Sequence, residues 1–337
     1  MIESNDKDNN KVLVSVCIMA YNHEKYIAES LDSALMQHTN FPFEIILGED
    51  ESSDGTRDIC IKYANKYSDK IKLFLRERKN VLYFNGRPTG RYNFLANLKE
   101  ASGKYIALLD GDDYWTDPYK LQKQVDFFES HPDVAGCFHD VVSVDENRKV
   151  INENYYLSKK SLYNQYDCVI SMGAAYATAS LMSRSLVFKK LPQWFLKTVS
   201  DYTIDLLITE YGHLAHIKEN MGAYRIHKGG IWQGNKPHQN LEQTVYRYSL
   251  CLQNPKFRKE YGWYFRKRIS ELSYWIVLAY THERKAFKEL QYAWRYFFYL
   301  DNKSISALKF FCSKLFFSSF FFLLKKRIEK KISTTIF

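Results

Sequence analysis

Over the first 140 residues short apolar runs alternate with helical patterns, and this order restricts the fold more than any other feature of the chain. Val12–Met19 reads as a buried strand, followed by a helix over Glu24–Gln37 with Ile27, Leu31, Ala34 and Leu35 at helical spacing. Phe43–Leu47 is a second strand, Asp54 and Thr56 open a helix to about Tyr67, and Ile71–Leu75 is a third strand. Arg76–Gly90 is polar, contains Gly86, Pro88 and Gly90, and reads as a loop. Arg91–Ala101 is a helix and Lys104–Leu109 a fourth strand. Asp117 and Pro118 offer an N-cap and an N1 proline for a helix to Ser130, and Val134–His139 is a fifth strand. Strands joined through helices imply a parallel sheet covered on both faces. Ligands bind such sheets beyond the carboxyl ends of the strands, so the loops after Met19, Leu47 and Leu109 should converge on one crevice.

The second half is less regular. Ser183–Leu191 and Asp201–Tyr211 read as helices, and His213–Ile217 and Ala223–Ile226 as two short strands. From about Pro237 the pattern is helical and rich in Tyr, Trp, Phe, Lys and Arg. Residues 305–324 are mostly apolar but carry Lys309 and Lys314, and KKRIEKK follows. Two lysines argue against a transmembrane span and for an interfacial helix on anionic lipid. The competing reading is an amphipathic helix packed on the protein itself. The net charge is +10, of which residues 302–337 supply +7, so the basicity is local and argues against a nucleic-acid partner. Six cysteines at long, irregular gaps contain no CxxC, which fits reduced thiols in a cytoplasmic setting. The first ten residues are polar and lack an apolar export segment. The expected organisation is a disordered segment 1–11, a sheet domain 12–235 and a basic, aromatic, helical, membrane-associating region 236–337.

Three loops carry the chemistry. Asp110-Gly111-Asp112-Asp113 follows the fourth strand directly. Three carboxylates within four residues repel one another unless a cation compensates, and a hard divalent ion held together with a substrate diphosphate suits that position. A solvated turn is the plainer alternative. Glu49–Thr56 (EDESSDGT) follows the second strand, where Asp50 could accept hydrogen bonds from a ribose or a base while Asp54 caps the next helix. Ala20-Tyr21-Asn22 follows the first strand, where Tyr21 could stack on a base or simply pack.

Taken together, VSVCIMAYN (Val14–Asn22), EDESSDGT and GKYIALLDGDDYW (Gly103–Trp115) resemble, in order and spacing, glycosyltransferase family 2, over about residues 12–235. That resemblance implies the GT-A fold, an inverting transfer and a Mn²⁺ or Mg²⁺ cofactor. It assigns Tyr21, Asp50 and Asp110 to the donor nucleotide, and Asp112 with Asp110 to the metal. Glu49 stands where the family usually has Asp, and Met19 and Ala20 replace the usual proline and small polar residue. Asp201, at a helix start about ninety residues after the acidic loop, matches the family's catalytic base, with Asp205 one turn further in. Tyr224–His227 resembles the family's YRxH segment, so His227 would meet the metal or diphosphate and Arg225 the diphosphate or the frame of the site. Trp232 would close over the sugar and Trp115 would form part of the acceptor face.

The expected partners are a nucleotide-sugar donor, a glycan or lipid-linked acceptor and an anionic membrane surface, with UDP favoured over dTDP and GDP by family frequency. The expected location is the inner face of the cell membrane, in cell-surface polysaccharide assembly. A catalytically inactive scaffold on the same fold is one alternative. A nucleotidyltransferase is another, but its Gly-rich first loop is absent from AYNHEKY.

Overall fold

The computed structural model describes residues 11–84, 86–153, 155, 160–171, 176–230, 236–300 and 306–314. Contacts divide the chain into two compact units, Met1–Lys228 and Gly229–Phe337. Residues 1–10, expected to be disordered, and 315–337, most of the apolar and basic end, lie outside the described residues.

In the first unit, β1 (Val14–Ala20), β2 (Phe43–Glu49), β3 (Ile71–Leu75) and β4 (Tyr105–Asp110) run parallel in the spatial order β3-β2-β1-β4. Helices α1 (Ile27–Leu35), α2 (Thr56–Lys66), α3 (Arg91–Glu100) and α4 (Lys120–Ser130) cover the sheet. β1 is buried at every position but Met19, and β4 at every position but Asp110. Strands covered on both faces bury consecutive side chains, which is why they read as unbroken apolar runs. Beyond β4 the sheet continues through β5 (Val134–Val144), β6 (Met182–Arg184) and β7 (His213–Arg225), the last following α5 (Asp201–Ile208). β6 lies between β4 and β5, antiparallel to both, while β5 and β7 pair in parallel. The result is a mostly parallel α/β sheet surrounded by helices.

Four local expectations need correction. Met182–Arg184 is a strand and Ser185–Phe188 a 3₁₀ turn, where a helix over Ser183–Leu191 was expected. Tertiary pairing decides here: Ser183 Oγ donates to the Ala135 carbonyl, and the Arg184 guanidinium to those of Val134 and Phe128. β7 is one strand rather than two, with register shifts around Asn220 where exposed Lys218, Glu219 and Asn220 interrupt the apolar pattern. Arg76–Gly90 contains a 3₁₀ turn (Arg78–Asn80) and a small hairpin of Leu82–Phe84 with Arg87–Thr89. α4 starts at Lys120, because Asp117 Oδ1 accepts from the Tyr119 N–H in a turn that precedes it.

Register places the chemistry. Met19 stands opposite Asp110 and Ala20 opposite Glu49, so β1, β2 and β4 end at one edge of the sheet. The Gly111 N–H donates to the Met19 carbonyl, and the Asp50 N–H to that of Ala20.

The second unit contains α6 (Pro237–Cys251), α7 (Pro255–His282) and α8 (Ala286–Tyr299), and residues 306–314 are also helical. Among the described residues no helix is long and apolar enough to cross a membrane. All six cysteines are free and five are buried.

Gly111 has no space for a methyl group. A Cβ would stand 2.8 Å from His23 Nδ1 and 3.0 Å from both Ile27 Cδ1 and the Met19 carbonyl oxygen. Gly111→Ala should therefore cost about 1–3 kcal/mol, read as a lower Tm with an unchanged far-ultraviolet circular dichroism spectrum.

Candidate active site

The loops after β1 and β2 are fastened to each other. Asn22 adopts φ 56°, a left-handed conformation that asparagine tolerates better than most residues. Its N–H donates to Ser52 Oγ and its Oδ1 accepts from the Ser53 N–H. The His23 N–H donates to Thr56 Oγ1, and Asp54 accepts from the Thr56 and Glu24 N–H groups. Asp54 is thus an organiser of the α2 start. Glu49 is fully buried, accepts from the Ser52 N–H and pairs with Arg57. The extra methylene over aspartate serves this internal pairing.

Asp50 sits in the next position and is buried. Its Oδ2 pairs with Arg78 Nη1 at 2.9 Å, while its Oδ1 has no hydrogen-bond partner among the described residues. Burial pushes its pKa up, with the Arg78 charge opposing. The Arg78 guanidinium lies 3.9 Å from the centroid of the Tyr21 ring, which is 38% exposed. Tyr21, Asp50 and Arg78 therefore bring together a partly exposed ring, a planar cation and a buried carboxylate with one unpartnered oxygen. Buried acceptors are rarely left unmatched, so this oxygen has capacity to accept from a water or a ligand.

The acidic loop begins at the end of β4. Among the described residues no group donates to the Asp110 carboxylate. Burial, together with the charges of Asp112 and Asp201, holds its pKa well above the usual carboxylate range. Asp112 differs. Its Oδ2 lies 3.0 Å from His227 Nε2 and 3.7 Å from His23 Nε2. Burial disfavours its charge, but the His227 hydrogen bond and the two imidazoles outweigh that and hold it below the usual range. Burial lowers the pKa of His23, whose Nδ1 has no hydrogen-bond partner among the described residues. Asp113 is buried and accepts from the Arg225 backbone N–H at 2.8 Å.

Arg225 is itself buried. Its Nε donates to the Asp112 carbonyl, its Nη1 to that of Asp145, and its Nη2 pairs with Glu29. Each guanidinium nitrogen thus has a partner inside the protein, and Arg225 braces the acidic loop, one of the two roles expected for it. Asp201 is the first residue of α5, capped by Ser200, and its Oδ1 accepts from Thr178 Oγ1 at 3.1 Å. It lies close enough to Asp110 to raise that residue's pKa. Asp205 is sealed in the core, bonded to the Tyr176 hydroxyl and held well above its usual pKa, largely by burial. It cannot exchange protons with an acceptor. Trp115 also departs from expectation: it is 1% exposed, its indole N–H donates to the Ala179 carbonyl, and Lys120 Nζ lies 3.8 Å from its ring. Its two-residue strand with Tyr114 pairs with Gly222 and Ala223 of β7, which places it beneath the site instead of on an acceptor face. Trp232 lies outside the described residues.

Among the described residues no three carboxylate, imidazole or thiolate groups form a ready-made metal cage. Mg²⁺ bound with a diphosphate needs only one or two protein carboxylates, and Mn²⁺ favours the same oxygen ligands. The Asp110 carboxylate and the Asp112–His227 pair meet that requirement.

The sequence profile of Glycosyl transferase family 2 matches residues 15–188, more than half of the chain and all three strand-end loops. The chain belongs to glycosyl transferase family 2. An uncharacterized protein of Mycobacterium tuberculosis is 33% identical over 223 residues, covering 65% of this chain and 60% of that protein. The chain thus spans three fifths of that relative's length. Among solved structures, S. aureus TarS 1–349 in complex with UDP-GlcNAc superposes with a TM-score of 0.52 at 16% identity, covering 85% of this chain and 89% of that one. The mannosyltransferase PcManGT of Pyrobaculum calidifontis, in complex with GDP-Man and Mn²⁺, superposes with a TM-score of 0.51 at 14% identity, covering 91% and 81%. At these identities the likeness is one of fold, and the fold is GT-A.

Within this family 2 frame, sequence reasoning missed His23, Arg78 and Glu29. Their only cue was a charged or imidazole side chain one turn or one loop beyond a strand end, and the register that brings them in is not local. The electrostatics of the acidic loop yield a direct test. The folded-state pKa of Asp110 lies above its unfolded value, so the ionised carboxylate opposes folding at neutral pH and protonation relieves that cost. Asp110→Asn should raise stability by about 1 kcal/mol at neutral pH without divalent cations. The gain should shrink as pH falls through the raised pKa, as measured by thermal unfolding across a pH series.

Proposed function

We propose that the chain is an inverting, metal-dependent glycosyltransferase. It moves a sugar from a nucleotide diphosphate donor, a UDP-sugar first, to a hydroxyl of a glycan or lipid-linked glycan. The observation that carries this reading is the Asp110 carboxylate, which stands at the sheet rim without a donor among the described residues and in the field of Asp112 and Asp201. The nucleobase end supports it too. A uracil ring offers a face for Tyr21, an N–H for the unpartnered Asp50 oxygen and carbonyl acceptors for Arg78.

Asp110, Asp112 and His227 would hold Mn²⁺ or Mg²⁺, whose positive charge, when bound, stabilises the departing diphosphate. Asp201, at the start of α5, accepts the proton of the acceptor hydroxyl as that oxygen attacks the anomeric carbon. The bond from that carbon to the diphosphate oxygen breaks, and attack from the opposite side inverts the configuration. Arg225 and Glu29 keep the acidic loop fixed through this step. Such preorganisation supplies stabilisation without reorganising charges at the moment of reaction. The basic, aromatic second unit supports work at the inner face of a bacterial-type membrane, on a growing cell-surface polysaccharide.

Purified enzyme with Mn²⁺ and nucleotide-sugar should release nucleoside diphosphate. Asp112→Ala should abolish release while leaving the circular dichroism spectrum intact. Asp201→Asn should lower kcat by about 10²–10⁴-fold with donor KM little changed. A wild-type rate from Asp112→Ala would contradict the assignment.

A further inference from the structure

The second unit holds all of the chain's excess positive charge. Residues 229–337 carry 20 Lys and Arg against seven Asp and Glu, whereas residues 1–228 carry 28 against 31. Within this unit α8 sets Phe287, Gln291, Trp294 and Phe298 at i, i+4, i+7 and i+11, on one face of the helix. Phe287 is 82% exposed, Trp294 58% and Phe298 60%. The buried positions Glu289, Tyr292 and Ala293 lie on the other side. Lys288 and Arg295, about 80–100° around the helix from Phe287, line one side of the aromatic stripe, with Lys288 Nζ 3.5 Å from the Glu242 carboxylate. Alongside, residues 306–314 pack Phe311 against Phe297 and Trp294 at 4.8 and 5.7 Å, and leave Leu308 47% exposed.

We infer that this face of α8 docks on an anionic lipid surface, with Phe287, Trp294 and Phe298 entering the boundary between headgroups and acyl chains and Lys288 and Arg295 meeting lipid phosphates. The inference rests on the membrane-surface setting given above and adds to it the helix and the residues responsible. Aromatic rings on one face with cations beside them are the pattern of a helix lying in the membrane interface. Charge complementarity selects the lipid: the unit is net +13, and juxtamembrane cations gain from an anionic leaflet. A second copy of the chain would set +13 against +13 across this face. Single-stranded nucleic acid prefers a basic groove between its stacking rings, and here the residue between the rings is the uncharged Gln291.

The test uses the full-length protein with vesicles of phosphatidylcholine alone or mixed with phosphatidylglycerol, read by co-sedimentation and tryptophan fluorescence. Wild type should bind the anionic vesicles at least about tenfold more tightly than the neutral ones, with binding weakened by salt. Replacing Phe287, Trp294 and Phe298 together by Ser should reduce that binding by about tenfold or more. If that variant does not keep the wild-type circular dichroism, Lys288→Gln with Arg295→Gln supplies the same reading from the flank. Wild-type binding by a folded variant overturns the inference, as does equal binding to both vesicle types. So does a variant whose lost property is dimerisation or oligonucleotide binding. Donor turnover on a soluble acceptor reports separately on the catalytic reading. Vesicle binding without turnover leaves this inference standing, and turnover without vesicle binding removes it.

Discussion

The structure depends on a buried guanidinium placed behind a cluster of like charges. Asp110, Asp112 and Asp113 lie within four residues, and Asp201 adds to the same field. Arg225 answers them from below, through its backbone N–H to Asp113, its Nε to the Asp112 carbonyl and its Nη2 to Glu29. A buried charge is costly unless its partners are well placed, and here hydrogen-bond partners are supplied by three segments of the first unit. The arrangement leaves Asp113 as structure, ties Asp112 to His227, and leaves the Asp110 carboxylate with its charge unanswered. That residual imbalance opposes folding at neutral pH, and the proposed cation site rests on it.

The two ends of the site rest on one register. Because Met19 pairs with Asp110 and Ala20 with Glu49, the acidic loop and the Tyr21–Asp50–Arg78 surface emerge from adjacent strands at the same edge. Hydrogen bonds from Asn22, His23 and Glu24 to Ser52, Thr56 and Asp54 fix the first two loops relative to each other. A nucleotide diphosphate has its base at one end and its charge at the other, and the rim offers an aromatic and polar surface on one side and unbalanced carboxylates on the other.

What was legible in the sequence follows from what is local. Strands buried on both faces announce themselves as apolar runs, so β1, β2 and β4 and the acid residues at their ends were readable. Asp201 was singled out because the family resemblance expects an acid at a helix start about ninety residues after the acidic loop, and α5 begins at that residue. The errors share the opposite cause. β6 is three residues held by neighbours on both sides, and nothing in MSR states that it will pair. Trp115 looked like a ligand-facing ring because it follows the acidic loop, yet its N–H is satisfied by Ala179 and the ring packs in the core. The motif left Arg225 two roles, diphosphate ligand or brace, and only the fold shows its guanidinium bonded to the Asp112 and Asp145 carbonyls and to Glu29. His23 and Arg78 were invisible because their partners, Asp112 and Asp50, lie 89 and 28 residues away.

The most direct test of the central claim is calorimetric titration of the protein with UDP, GDP and dTDP in the presence of Mn²⁺ and again in excess chelator. The account predicts that at least one of these nucleotides binds with Mn²⁺ and that chelation weakens it by roughly tenfold or more, about 1.4 kcal/mol. Equal affinity in both conditions would contradict it, because the carboxylates at the rim would then have no cation to hold.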